Sequence, residues 1–115
     1  MKDVSGVIRN GEKEYRIVFN LNVMERIQEE YKTLDAWGKL TEGASGEPDI
    51  KAIVFGFTEM INEAIDIEND ENGTDLKPLT RKQVGRLISD FGVDKAVVEL
   101  NNTVIKSAGN NEKNA

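Results

Sequence analysis

The 115-residue chain contains neither cysteine nor histidine. That excludes thiol nucleophiles, disulfides, cysteine–histidine zinc sites and every acid–base mechanism built on imidazole. A chain of this length buries roughly two-thirds of its unfolded surface, enough to fold as one domain without such staples. The net charge of −6 is concentrated: residues 52–76 hold seven acids and no Lys or Arg, leaving 14 acidic against 15 basic residues elsewhere. Neither part supplies the basic face that binding to nucleic acid phosphates requires. Met1–Asn10 has no charged-then-apolar signal pattern, and no apolar run approaches about 18 residues. The expectation is a cytosolic protein with no membrane partner and no nucleic acid partner.

Residues 4–19 read as a β-hairpin. Asn10-Gly11 is a dipeptide that tolerates positive φ at both central positions of a two-residue turn. Centred there, the turn sets Arg9 opposite Glu12, Gly6 opposite Tyr15 and Val4 opposite Ile17. Val4, Ile8, Tyr15, Ile17 and Phe19 then share one face, which must lie on helices because an isolated hairpin is marginal.

A first helix is expected over about 22–31, capped by Asn22 with Glu25 at the capping-box position and Val23, Met24, Ile27 and Tyr31 on its apolar side. Thr33 caps a short second helix over about 34–42 carrying Leu34, Trp37 and Leu40. Residues 42–48 are loop by composition. Asp49 caps the longest helix, over about 49–68, with an apolar stripe of Ile50, Ile53, Val54, Phe57, Met60, Ile61, Ala64 and Ile65. Asn69–Asp75 reads as a polar loop closed by Pro78. Leu79-Thr80-x-x-Gln83-Val84 then combines a Thr cap, Gln at N3 and a hydrophobic staple, starting a helix over about 80–91 that ends at Gly92. A fifth helix over about 94–108 turns Val97, Leu100, Val104 and Ala108 inward, with Val98 and Ile105 at the stripe's edge. Residues 109–115 read as a disordered tail. The fold class is mainly α with an N-terminal β-hairpin, about five helices packed as a small bundle over residues 1–108.

Few constellations carry chemistry. Placing Gly73 at position six of a calcium loop sets Glu68, Asp70 and Asn72 at ligand positions, but Leu79 stands where the bidentate glutamate belongs. Gly43-Ala44-Ser45-Gly46 has no following lysine and no strand leading into it, so it is not a phosphate cradle. Glu59, Glu63 and Asp66 share one face of the long helix, but it is the polar, solvated face, so a catalytic acid–base pair is not expected there. No metal, no cofactor and no enzymatic activity are expected. Phe55 lies about 140° from Ile50 on the helical wheel, among Lys51, Glu59, Asn62 and Asp66. It is either a contact for a partner or is covered by the Trp37 helix or the loop at 42–48. Trp37 is either core or interface. Lys77, Arg81, Lys82 and Arg86 form a small basic cluster at the fourth helix's start; the last three face away from its apolar stripe, and the cluster balances the acidic stretch, within the molecule or between copies.

Four segments in order are similar to a known family. They are EYRIVFNLNVMERIQEEY (Glu14–Tyr31), the short LDAWGKL, the long apolar DIKAIVFGFTEMINEA and the capped LTRKQVGRLISDFG. Together, over Glu14 to Ala108, they resemble the tail assembly chaperones of long-tailed bacteriophages. The resemblance implies a non-enzymatic protein of the host bacterial cytoplasm, absent from the mature virion. It would bind the tape-measure protein, keep it soluble and recruit tail-tube subunits, with self-association possible. In many relatives a frameshift adds a second domain to a minority of chains, and the polar residues 109–115 suit the short product. Phe55 and Trp37 are then candidate partner contacts. Glu59, Glu63, Asp66, Arg81, Lys82 and Arg86 are candidate charge-mediated contacts. A rival from another class is a small acidic inhibitor that mimics DNA and occupies a nucleic-acid-binding protein.

Overall fold

The computed structural model describes residues 5–43 and 46–113. Expectations for Val4, for Ala44 and Ser45 in the loop, for the side chain of Ala108 and for residues 114–115 fall outside what it describes. The fold is mainly helical with an N-terminal antiparallel hairpin: β1 (Ser5–Asn10), β2 (Lys13–Val18), α1 (Leu21–Tyr31), α2 (Leu34–Glu42), α3 (Ile50–Asn72), α4 (Arg81–Phe91) and α5 (Val93–Lys113).

The hairpin has the expected face but a different register. Arg9 stands opposite Glu14, Ile8 opposite Tyr15 and Gly6 opposite Ile17, and Arg9 and Glu14 form an ion pair at 2.9 Å. The turn is centred on Gly11-Glu12, not Asn10-Gly11. Gly11 alone has positive φ, 66°, the pattern of a II′ turn with glycine at its first central position. The slip is two residues, and side chains alternate with period two, so Ile8, Tyr15 and Ile17 still share a face. Ile8 and Ile17 are fully buried.

The first helix begins earlier than its sequence suggests. Its cap is Asn20, whose side chain accepts from the Val23 backbone N–H at 3.2 Å; N3 is therefore Val23, and Glu25 takes no part in a capping box. Asn22 instead donates to Glu63 at 3.0 Å, beside a 2.8 Å bond from Asn20 to the same carboxylate oxygen. The helix ends in a γ-turn. Thr33 N–H donates to Tyr31 C=O at 2.9 Å across Lys32, which has φ 75°, a costly conformation for a residue with a Cβ. That tight reversal delivers Thr33 to its role as cap of α2, where it accepts from the Ala36 N–H.

The long helix is central. It packs β2 and α4 on one side, α1 and α2 on another. Its buried arc is accordingly wider than one stripe, taking in Ala52, Gly56 and Thr58 as well as Ile53, Phe57, Met60, Ile61 and Ala64. Ile50, expected inside, is 57% exposed; at the first turn its side chain leans back toward the helix N-terminus, beyond the core. The helix also outlasts its expected end. It runs through the acidic segment to Asn72 and stops at Gly73, which has left-handed φ of 65°. Glu68, Asp70 and Asn72 are thus helical and do not form a calcium-type loop.

The fourth helix has the expected boundaries and cap. Gln83 N–H donates to Thr80 Oγ1 at 3.1 Å, and Thr80 N–H donates to Gln83 Oε1 at 2.8 Å. The fifth is rotated from expectation. Its buried line is Ala96, Leu100 and Thr103, with Val97 and Val104 only partly buried. The reason is Gly6: a side chain there would collide with Glu99 and Thr103, so its absence lets β1 lie against that flank of α5. The helix also continues to Lys113, through most of the segment expected as a tail. Gly and Asn weaken a helix without the steric block that proline imposes.

Candidate partner-binding surface

The surface is set by how α4 is held on α3. Between them, residues 73–80 return antiparallel to α3, without helix or strand of their own. Two asparagines of α3 pin this strap. Asn62 Nδ2 donates to Leu79 C=O at 3.0 Å while its Oδ1 accepts from Leu79 N–H at 2.9 Å. Asn69 repeats the arrangement on Leu76, at 3.0 and 2.9 Å, and also accepts from Thr74 Oγ1. Each amide side chain thus serves as a sheet neighbour to one strap residue. The spacing matches: seven helical residues rise roughly 10.5 Å, and three extended residues span roughly 10 Å. The Asn62 clamp hands Leu79 directly to the Thr80 cap, so α4 starts from a fixed point.

Besides a concavity of 370 Å³ between β2, α3 and the strap, lined by Tyr15, Ile61, Ile65, Leu76 and Leu79 among others, two concavities lie on opposite faces of α3. One is a groove of 470 Å³ between the start of α3 and α4, with Ile50, Ile53, Val54, Ile88 and Val93 as apolar lining. Lys82 and Arg86, one turn apart, edge it, and Gly85 lines the same wall. Neither cation has an ion-pair partner among the described residues. The other is a polar cleft of 440 Å³ between α1 and α3, lined by Asn22, Glu25, Arg26, Glu59, Glu63 and Asp66 among others.

The six charged candidates are therefore separated. Glu59, Glu63 and Asp66 come together in the cleft; Lys82 and Arg86 edge the groove, and no ion pair joins the two sets among the described residues. Glu63 is already occupied by Asn20 and Asn22. Arg81 lies nearer Tyr31. The Tyr31 hydroxyl is buried with no hydrogen-bond partner among the described residues. Burial first, then the charges of Asp49 and Glu30, push its pKa above the usual tyrosine value, and Arg81 pulls it back.

The aromatic candidates move inward. Trp37 is 2% exposed. Its indole N–H donates to Ala52 C=O at 3.0 Å, its ring stacks on Phe19 with centroids 6.2 Å apart, and Gly56 gives it room. Trp37 is core and offers nothing to a partner. Phe55 is half-buried, with Tyr31 packed edge-on against it at 5.6 Å. Sequence reasoning missed the groove. Its one local signal was Gly85, an isolated glycine inside an otherwise regular helical pattern.

No protein-family model matches the chain, and neither a curated protein nor a solved structure shows significant similarity to it.

Proposed function

We propose that the protein is a non-enzymatic tail assembly chaperone of a long-tailed bacteriophage or prophage. In this reading it acts in the host cytoplasm, binds the tape-measure protein, keeps it soluble, recruits tail-tube subunits and leaves before the virion is complete. The order of the four segments quoted above supports the family. The observation that carries a binding role is the groove: apolar side chains at the start of α3 stand open beside two cations with no ion-pair partner among the described residues. A folded helical chaperone that holds a long, aggregation-prone partner needs such a surface.

The test is co-expression with the tape-measure protein encoded in the same genome, followed by affinity capture and a solubility assay. The expected result is a soluble, co-purifying tape-measure protein. If it stays insoluble while this chain is abundant and folded, the chaperone reading fails.

One observation favours the acidic-inhibitor reading. Because α3 stays helical through the acidic segment, Glu59, Glu63, Asp66 and Asp70 align along one face over roughly 16 Å. Against it, Glu63 and Glu68 spend carboxylate oxygens on Asn20, Asn22 and Asn72 within the chain. A DNA-binding protein captured in a complex that weakens steeply with salt would favour the inhibitor.

A further inference from the structure

Three glycines of this fold replace a Cβ at a helix or sheet surface with different consequences. At Gly6 and Gly56 a Cβ would collide with Glu99 and Thr103, and with Trp37, respectively. At Gly85, in the middle of α4, a Cβ would meet nothing within 4 Å. Glycine weakens a helix interior relative to alanine, and no contact within the described chain explains that choice at 85. Gly38 of α2 is equally open, but only Gly85 lies in the wall of an apolar groove. There its missing side chain leaves room for a foreign backbone to approach α4 closely, as small residues do where two helices pack tightly.

Flanking charge identifies what approaches. Lys82, three residues before Gly85, and Arg86, the residue after it, line the same wall, and no acid of the described chain pairs with them. Opposite them is the apolar flank of Ile50, Ile53 and Val54, with Ile50 left largely in solvent.

We propose that this groove is a docking site for an acidic amphipathic helix of a partner protein. The helix lays its apolar seam on Ile50, Ile53, Val54 and Ile88. Its backbone closes on α4 at Gly85, and its carboxylates pair with Lys82 and Arg86. This names the recognition element of the proposed chaperone surface and rests on that reading for the partner's identity, but not for the site.

The test uses the full chain and two synthetic peptides of about 18 residues, long enough for marginal helicity. They share one apolar seam and differ only in carrying Glu or Lys along its flanks. Backbone and methyl NMR shifts report the site, and fluorescence anisotropy reports affinity. The Glu peptide is expected to bind, with shifts confined to the start of α3, α4 and Val93. Its affinity is expected to fall at least tenfold between about 0.05 and 0.3 M salt, and at least tenfold in Lys82→Glu/Arg86→Glu. Gly85→Leu, which fills open space and is checked for an intact fold by circular dichroism, is expected to abolish binding.

Equal binding of both peptides, no binding of the Glu peptide, or shifts centred on the acidic cleft overturns the proposal. So does sedimentation showing that the groove closes on a second copy of the chain, in an assembly that Gly85→Leu dissolves. The chaperone reading fails separately. If the Glu peptide binds but the tape-measure protein stays insoluble, the groove stands and the function falls. If Gly85→Leu rescues the tape-measure protein as well as the parent chain does, the function stands and the groove falls.

Discussion

Gly56 and Gly85 lie inside two neighbouring helices, each weakening its helix by about 1 kcal/mol relative to alanine. At Gly56 the indole of Trp37 sits where a Cβ would be, with Cζ2 2.5 Å from that position. The lost helix propensity is offset there by closer packing of α2 on α3, by the indole bond to Ala52 and by the Phe19 stack. At Gly85 the space is open and solvent-facing. The same residue type thus marks two kinds of surface: one completed within the chain, one completed only from outside. Residue identity alone does not separate them; the neighbour does.

Substitution on the completed side has the largest expected effect. Trp37→Ala leaves an indole-sized void and should cost about 3–5 kcal/mol. Gly56→Ala forces the indole off its seat and should cost about 1–3 kcal/mol. Both are measured by urea denaturation. A Trp37→Ala protein of unchanged stability that had lost only partner binding would return Trp37 to the interface and collapse the contrast.

The strap that positions the groove offers the next test. Asn62 and Asn69 make the same pair of bonds, but those of Asn62 are partly buried and those of Asn69 exposed. Asn62→Ala leaves the polar groups of Leu79 short of solvent and should cost about 1–3 kcal/mol. Asn69→Ala, where water substitutes, should cost about 0.5–1 kcal/mol. Hydrogen exchange should show the strap and the first turn of α4 opening together in Asn62→Ala. Equal costs would mean that the strap is held by its apolar side chains and not by the amides.

Gly85→Ala reverses the sign. With nothing near the new Cβ, it should stabilise the chain by about 0.5–1 kcal/mol while weakening the proposed docking. A gain in stability with a loss of binding is the pattern of a residue kept for function. Destabilisation would mean an internal contact holds that position, and the contrast with Gly56 would disappear.

Much of the architecture was legible because it rests on local rules. Thr80 and Gln83 form their box, Thr33 and Asp49 cap, and the buried faces of α1, α4 and the hairpin follow their periods. What was not legible depended on a choice between equal local options, settled at long range. Asn10-Gly11 and Gly11-Glu12 both make acceptable turns. Asn20 and Asn22 both make acceptable caps, and the fold uses Asn20 while Glu63 of α3 holds both. The acidic run reads as loop by charge, yet glutamates are good helix formers and the stop waits for Gly73. The candidate contacts fared worst for the same reason. Whether Trp37 is core and whether Phe55 is covered depend on where α2 and Tyr31 land, which no pattern within α3 encodes.

The smallest effect concerns that last cover. Tyr31 packs edge-on against Phe55 while its hydroxyl is buried and unpaired among the described residues. Burial is the main reason its pKa is raised, with Asp49 and Glu30 adding to it. For an acid whose folded-state pKa lies above the unfolded value of roughly 10, the unfolded chain releases its proton first as pH rises. The associated stability is fully present below about pH 10 and is lost as pH climbs through the raised native value. Tyr31→Phe keeps the ring against Phe55 and removes the hydroxyl. It should therefore be neutral or stabilising by up to about 1 kcal/mol near neutral pH. It should also remove this site's share of the alkaline loss, seen as a flatter urea midpoint between about pH 9 and 11. Clear destabilisation at neutral pH would show that the hydroxyl has a partner, and that the cover over Phe55 is held by that bond as well as by the rings.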